Sequence, residues 1–152
     1  TCQALLPDAR DALLVNGVSP ALFMEALAAA MQNSAGGRLV VIGSVAGDRG
    51  RKSNYIYGSA KGLIERYAQG LQHRLHGTGV KVCLVKPGPT RTPMTAGLEP
   101  VGGSLADVEE VAETIVKGVA RGRPVIYAPG KWWIIMMVIR HLPRFIFNKM
   151  DI

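Results

Sequence analysis

The sequence predicts an α/β fold, a partial doubly wound parallel sheet with the order helix, strand, helix, strand, helix, strand. Three observations support this prediction. Apolar residues recur with a helical period in three segments, and short β-branched runs follow those segments. Each connection between the runs is long enough for parallel pairing. A composition of 48% hydrophobic and 19% charged residues is typical of a folded domain and excludes a disordered tail or a disulfide-rich miniprotein.

The first helix, strand and loop come from the first third of the chain. Residues 18–31 are apolar on nearly every side, which predicts a buried helix, and two glycines follow. Residues 38–43 form a β-branched run bounded by glycine, which predicts a strand buried on both faces. Residues 47–54 are polar and rich in glycine, so we expect a loop.

The remaining elements follow in the same alternation. Residues 55–76 have a helical period, residues 80–85 predict a second buried strand, and residues 124–127 predict a third. Between the last two strands, an apolar stripe that begins at Val108 predicts another helix. For the helix over 55–76 we expect one apolar face, made by Ala60, Leu63, Ile64, Tyr67, Leu71 and Leu75, and a polar face made by Glu65, Arg66, Gln69, Gln72 and Arg74.

Net charge and cysteine content restrict the classes of binding partner and the cellular compartment that the sequence allows. The net charge of +7 would allow contact with nucleic acid, anionic lipid or a phosphorylated ligand, and selects none of them. No run of five or six like charges is present, so we expect no nucleic-acid partner. Two cysteines, Cys2 and Cys83, make no disulfide framework, which indicates a reducing, cytoplasmic setting.

Tyr57 and Lys61 are the first candidates for chemistry. Their spacing of four residues near the start of a predicted helix places a phenol and an ammonium on one face. A nearby cation favours the phenolate and would lower the pKa of the tyrosine, which suits an acid or base near neutral pH. Tyr127 and Lys131 have the same spacing, but Pro129 and Gly130 interrupt any helix there. No histidine stands at metal-ligand spacing, so we expect no metal site.

Other polar residues stand at the predicted strand ends, where ligands of such sheets bind. Ser44 ends the first strand, and Pro87 and Gly88 follow the second, with Thr90 and Thr92 behind them. Together with Tyr57 and Lys61 they resemble the short-chain dehydrogenase/reductase family, whose hallmarks are a strand-end serine, a Tyr-x-x-x-Lys helix and a Pro-Gly loop. Asn16, between Val15 and Gly17, is similar to that family's asparagine segment. The resemblance is strong over residues 16–94.

The resemblance implies a role for each of these residues. Tyr57 would protonate a carbonyl oxygen, Ser44 would hydrogen-bond that oxygen, and Lys61 would hold the nicotinamide ribose. Asn16 would anchor a water that connects Lys61 to solvent. The implied cofactor is NAD or NADP, of which we favour NADP, and the implied substrate is a small or lipid-linked carbonyl compound or secondary alcohol. The residues implied to bind the cofactor are Tyr57, Lys61, Pro87, Gly88, Thr90 and Thr92.

Each residue also has a structural interpretation. A serine after a strand is also common as a turn former, so Ser44 would serve in that role alone. Asn16 would serve equally as an ordinary N-cap of a helix. Thr90 and Thr92 would serve equally as polar loop residues. Tyr57 and Lys61 would serve as a surface pair on a helix.

The nucleotide half of the resembled family is not encoded here. It begins with a glycine-rich turn whose amides hold a pyrophosphate, and no Gly-x-x-x-Gly-x-Gly stands in the chain. We therefore expect residues 1–130 to be the C-terminal part of a Rossmann-like domain that is inactive on its own and forms homo-oligomers when full length. The alternative is a truncated, non-catalytic remnant of the family.

The C-terminal tail, residues 131–152, is a separate basic and aromatic unit. Eight apolar residues from Trp132 to Ile139 are too few to span a bilayer. With Lys131, Arg140 and Arg144 beside them, they suit an amphipathic segment at a membrane surface. A membrane-surface interaction module is thus another alternative, and packing over the substrate pocket or a partner subunit is the other interpretation. The tail also resembles the family branch that reduces a polyprenyl-phosphate-linked 2-keto sugar, which would place the protein at the inner face of a membrane.

Overall fold

The computed structural model describes residues 5–96 and 105–150. Six helices, three strands and three short turns follow one another in these ranges. In order they are α1 (Leu6–Leu13), a π turn (Leu14–Val18), α2 (Ser19–Gln32), β1 (Gly37–Ile42), a 3-10 turn (Val45–Gly47), α3 (Tyr55–Arg74), β2 (Val80–Pro87), a 3-10 turn (Pro93–Thr95), α4 (Val108–Ala120), β3 (Val125–Ala128), α5 (Lys131–His141) and α6 (Arg144–Phe147).

The three strands form one parallel sheet in the order β1-β2-β3. Gly37 pairs with Val80 at the start of the first pair of strands, and Ile42 pairs with Val85 at its end. Leu84 pairs with Val125 in the second pair, which runs to Pro87 and Ala128. The predicted α/β class, element order and parallel pairing are confirmed.

Helices cover both faces of this sheet. On one face, Met24 and Ala28 of α2 and Ile64 of α3 pack against Leu39 and Val41 of β1, in a cluster that also includes Val82 and Leu84 of β2. On the other face, Ile115 and Val119 of α4 pack against Cys83, Val85 and Ile126. The sheet is therefore doubly wound over β2, as the nearly continuous run of buried residues in that strand requires.

The first helix differs most from its prediction. It does not begin at residue 18 but continues from Leu6 through the π turn to Gln32. It is not buried on every side: Ala21, Met24 and Ala28 are buried, whereas Leu22 and Phe23 are 66% and 69% exposed. Two alanines and Met24 face the core while Leu22 and Phe23 face outward, so total apolarity was a misleading guide to burial.

Leu6–Gln32 is the single helix, among the described residues, that is long and apolar enough to cross a membrane by length and composition. A core helix passes the same test. Ala21, Met24 and Ala28 pack in the core of this fold, but only 22% of the apolar window of this helix is buried.

Two other expectations about burial are wrong. β1 is buried on one face, because Leu39 and Val41 are buried while Val40 and Ile42 are exposed. In α3, Leu63 is 40% exposed and Glu65 of the expected polar face binds a buried lysine. The predicted strand ends shift slightly, since β2 continues to Pro87 and β3 ends at Ala128.

Candidate active site

Ser44 stands directly after β1, at the carboxyl edge of the sheet. Its backbone is extended (φ −168°), and its side chain accepts a hydrogen bond from the Ala46 amide at 3.1 Å. Ser44 thus caps the 3-10 turn Val45–Gly47, as a turn former does. The same side chain also acts on the pKa of the nearby Tyr57 phenol, so the two interpretations of Ser44 are compatible.

Tyr57 and Lys61 share one face of the first turns of α3. The Lys61 ammonium lies over the Tyr57 ring, with Nζ 5.5 Å from the ring centroid. Within residues 5–96 and 105–150 no hydrogen bond or ion pair engages that ammonium. The structure therefore brings together two hydroxyls and one ammonium that is available to a ligand.

The electrostatics of this group differ from the sequence prediction. Burial raises the pKa of the Tyr57 phenol above its ordinary value, and the hydrogen bond with Ser44 acts against that rise. Burial lowers the pKa of the Lys61 ammonium. The expected lowering of the Tyr57 pKa by Lys61 is wrong for this structure, because the ammonium lies over the ring and makes no hydrogen bond to the phenol oxygen.

Two glycines allow the Ser44 turn to approach α3. A Cβ on Gly47 would lie 2.9 Å from the Lys61 carbonyl carbon, and a Cβ on Gly58 would lie 2.9 Å from the Ala46 oxygen. Any larger residue at either position would push the turn away from the helix. The close contact of the two backbones is what places Ser44 beside Tyr57.

Asn16 lies in the π turn and not at a helix start. Its Nδ2 donates to the Ala12 oxygen at 3.1 Å, so the N-cap interpretation is wrong. The next residue, Gly17, packs against Ala60, since a Cβ there would lie 3.2 Å from the Ala60 Cα. Asn16 is therefore next to the turn of α3 that contains Lys61. Single π turns inside α-helices are frequent at functional sites.

The loop after β2 ends at the same edge of the sheet as Ser44, but its hydroxyls are engaged locally. Thr90 Oγ1 donates to the Gly88 oxygen at 2.9 Å. Thr92 caps the 3-10 turn Pro93–Thr95 together with Thr95. Both threonines act as polar loop residues in this structure, and the backbone of Pro87 and Gly88 lies nearer the sheet edge.

Sequence reasoning missed a buried charged cluster at this edge. Lys86, the residue before Pro87, is 2% exposed, and its Nζ binds Asp48 and, at 2.7 Å, Glu65 Oε1. Tyr127 OH donates to Asp48 Oδ2 at 3.2 Å. Burial alone would lower the pKa of Lys86, but the two carboxylates outweigh it and raise that pKa. The available signal was a lysine inside an apolar strand, which requires a partner.

The C-terminal helices contact the candidate site more extensively than the sequence indicated. Trp132 and Met136 of α5 pack against Val45, the residue after Ser44. Arg49 donates to the Leu142 oxygen at 2.7 Å, and its guanidinium carbon lies 3.7 Å from the centroid of the Phe147 ring. One face of the tail therefore covers the Ser44 turn, which agrees with the interpretation that the tail packs over the site.

The second Tyr-x-x-x-Lys match does not form such a pair. Tyr127 lies in β3 and binds Asp48, whereas Lys131 begins α5 and is exposed. In the part of the chain that the structure describes, no group of three or more His, Cys, Asp or Glu side chains could hold a metal ion.

The sequence matches the family model of short chain dehydrogenases over residues 4–101, which include Ser44, Tyr57, Lys61 and the loop after β2.

The chain belongs to the short-chain dehydrogenase family.

One curated relative agrees with this membership, and solved structures share the fold. An uncharacterized oxidoreductase of Mycobacterium tuberculosis is 40% identical over 124 residues, which are 82% of this chain and 49% of that protein. A short chain dehydrogenase from Burkholderia cenocepacia in complex with NADP superposes with a TM-score of 0.79 at 20% identity, covering 93% of this chain and 58% of that one. One from Sphingobium yanoikuyae, in complex with NADPH, gives 0.75 at 23%, covering 95% and 61%. The chain spans about half the length of the curated relatives it matches.

Proposed function

We propose that this short-chain dehydrogenase chain provides the acid–base site of an oxidoreductase that interconverts a carbonyl compound and a secondary alcohol. One observation carries the proposal: the Ser44 turn packs closely against the helix of Tyr57, and the Ser44 side chain acts on the pKa of the Tyr57 phenol. The Lys61 ammonium lies over the Tyr57 ring and makes no hydrogen bond or ion pair among the described residues. Two hydroxyls can hold one carbonyl oxygen between them. An ammonium left available in a partly buried place suits a ligand with hydroxyl groups.

The proton step uses the Tyr57 phenol, which is protonated at neutral pH because burial raises its pKa above its ordinary value. A phenol that stays protonated at neutral pH can donate its proton to a carbonyl oxygen on which negative charge develops. Ser44 donates a hydrogen bond to the same oxygen and stabilises that charge. In the oxidative direction Tyr57 accepts the proton instead, with Asn16 and a water near Lys61 as the route to solvent.

The donor set fits a nicotinamide cofactor. Lys61 and Tyr57 would hold the ribose hydroxyls, and the backbone of Pro87 and Gly88, with Thr90 and Thr92, would hold the nicotinamide end. When bound, the cofactor supplies the hydride. We favour NADP over NAD because two solved relatives of the same fold were obtained with NADP and NADPH.

Tyr57→Phe in the full-length protein tests the proton step. We expect turnover to fall by about 10²–10⁴-fold, because the general acid is removed, while the cofactor still binds. Tyr55→Phe is the matched control, since Tyr55 lies on the same helix and is half exposed. Unchanged turnover in Tyr57→Phe refutes the assignment. A wild-type protein that binds no nicotinamide cofactor would instead support the non-catalytic remnant.

We also propose that the full-length protein is a homo-oligomer paired through α2. Leu22 and Phe23 present a contiguous apolar surface beside Val18, and large exposed apolar patches mark interaction sites. Leu22→Asp with Phe23→Asp should convert the protein to monomers in size-exclusion chromatography with light scattering. A wild-type protein that is already monomeric contradicts this proposal.

A second candidate function concerns residues 131–152, which we treat as a unit separate from residues 1–130. α5 packs on the site through Trp132 and Met136, and its other face exposes Trp133, Ile134 and Val138. Phe145 is exposed as well, and Lys131, Arg140, Arg144 and Lys149 supply positive charge. We propose that this face contacts an anionic bilayer at the cytoplasmic side of a membrane, where a lipid-linked carbonyl substrate would be reached.

Vesicle flotation of the full-length protein tests this contact. We expect binding to vesicles with anionic lipid, weaker binding to neutral phosphatidylcholine vesicles, and loss of binding in a Trp133→Ser/Val138→Ser variant. Both side chains are exposed, so the packing of Trp132 on Val45 is kept. Val116→Ser on α4 is the control, because Val116 is 67% exposed elsewhere. Equal flotation of all variants removes the membrane proposal.

A further inference from the structure

One buried ammonium connects the three segments that contain the site. Lys86 Nζ binds Asp48 and Glu65. Asp48 ends the 3-10 turn that begins after Ser44, and Glu65 follows Lys61 by one turn of α3. Lys86 itself immediately precedes the Pro87 loop. A single cation thus holds one carboxylate from the Ser44 segment and one from the Tyr57 helix.

Stability alone does not account for this buried charged cluster. The side chains of Lys86 and Asp48 are 2% and 1% exposed, and taking charges out of water costs several kcal/mol per ion. Two carboxylates face one ammonium, and Glu65 Oε2 is buried without a hydrogen-bond partner. Arg140 Nη1 is the nearest further cation, 4.0 Å from Asp48 Oδ1. Apolar residues of similar volume often replace such clusters at no loss of stability.

The neighbouring residue fixes the same segment from the opposite side. Arg49 follows Asp48 directly, and its guanidinium binds the carbonyls of Ile139 and Leu142 at the end of α5. Asp48 therefore points inward to Lys86, and Arg49 points outward to the C-terminal helix. The short segment after Ser44 is held at both sides.

We propose that Asp48, held by Lys86, is a positioning residue that fixes Ser44 against Tyr57. Tyr127 completes the arrangement by donating to the other Asp48 oxygen. The inference rests on the proposed function for its effect on turnover. Its structural part, that the ion pair holds the Ser44 turn, stands apart from that function.

The test is Asp48→Ala in the full-length protein. Lys86→Met is unsuitable, because it would remove the ammonium that binds two buried carboxylates and would destabilise the fold. Asp48→Ala instead leaves Lys86 paired with Glu65, so no uncompensated charge remains. We expect kcat to fall by about 10²-fold, as small misplacements of reacting groups do, with cofactor affinity unchanged. Amide hydrogen exchange in residues 44–48 should become faster.

Two further variants separate positioning from general damage. Asp48→Asn keeps an oxygen for the ammonium and should recover most of kcat. Asp107→Ala removes an exposed carboxylate that pairs with Arg91 on the surface and should change neither kcat nor exchange. Wild-type exchange in residues 44–48 of Asp48→Ala overturns the proposal, as does a wild-type kcat. If the wild-type protein has no turnover, the proposed function fails, and the exchange measurement alone decides this inference.

Discussion

Gly88→Ala is a sharp test of how α5 is docked on the site. A Cβ on Gly88 would lie 1.9 Å from Nε1 of Trp132, 2.3 Å from Cδ1 and 2.4 Å from Cε2. Real Cβ contacts essentially never fall below 3.0 Å, so the indole and the loop must separate by about 1 Å or more. Trp132 is a rigid ring, 6% exposed, and it cannot simply swing away as a flexible chain end would.

The size of the effect follows from overpacking. Forcing an extra methyl into a well-packed place costs about 1–3 kcal/mol. Complete undocking of the ring sets an upper limit near the cost of deleting a buried tryptophan, about 3–5 kcal/mol. For a domain of this size, each kcal/mol lowers Tm by about 2–4 °C. We therefore expect Gly88→Ala to lower Tm by about 2–12 °C.

Thermal unfolding of the full-length protein measures this, and tryptophan emission reports whether the indole becomes exposed. Gly50→Ala is the matched control, because a Cβ on Gly50 meets nothing within 4 Å. In a Trp132→Leu background, Gly88→Ala should cost less, which a double-mutant cycle detects as coupling. A Tm within 1 °C of wild type in Gly88→Ala, with unchanged emission, would show that Trp132 does not pack on Gly88.

Three further predictions concern other parts of the fold. Gly70→Ala should raise the unfolding free energy by about 0.5–1 kcal/mol in chemical denaturation, because Gly70 is inside α3 and a Cβ there meets nothing. Hydrogen bonds from Tyr67, and then Arg74, lower the pKa of Glu25, so this carboxylate stabilises the fold above its ordinary pKa and the gain is lost as pH falls through the lowered value. The stability difference between wild type and Tyr67→Phe should accordingly be present at neutral pH and vanish in acid; a constant difference contradicts this origin. Burial raises the pKa of the Cys83 thiol, so a thiol reagent should label it, in a Cys2→Ser background, only when the protein unfolds.

The alternation of elements and the proximity of the candidate site residues were predictable because their signals are local. The period of α3 and the β-branched run of β2 each follow from neighbouring residues, and parallel pairing then places Ser44 and Pro87 at one edge. Spacing alone put Tyr57 and Lys61 on one helix face. The precise approach of the Ser44 turn depends on Gly47, whose role is visible only when the Lys61 backbone is known to lie against it.

Long-range partners were not predictable from the same signals. Glu65 falls on the polar side of the helical period, and only the position of β2 shows that Lys86 meets it. Gln72 likewise binds the carbonyls of Val82 and Pro124 and not solvent alone. A lysine in an apolar strand indicates that a charged or polar partner must lie nearby. The identity of that partner depends on which helix crosses the strand.

The prediction that β1 is buried on both faces was wrong, although the β-branched run on which it rested does form a strand. Val40 and Ile42 are in register with Cys83 and Val85 and therefore point to the same side of the sheet. On that side α4 covers Cys83, Val85 and Ile126, but within the described residues it does not bury Val40 or Ile42. Parallel sheets of this class are covered on both faces. The β-branched run of β1 therefore predicted strand and parallel pairing correctly, but within the described residues its burial is met on one face only.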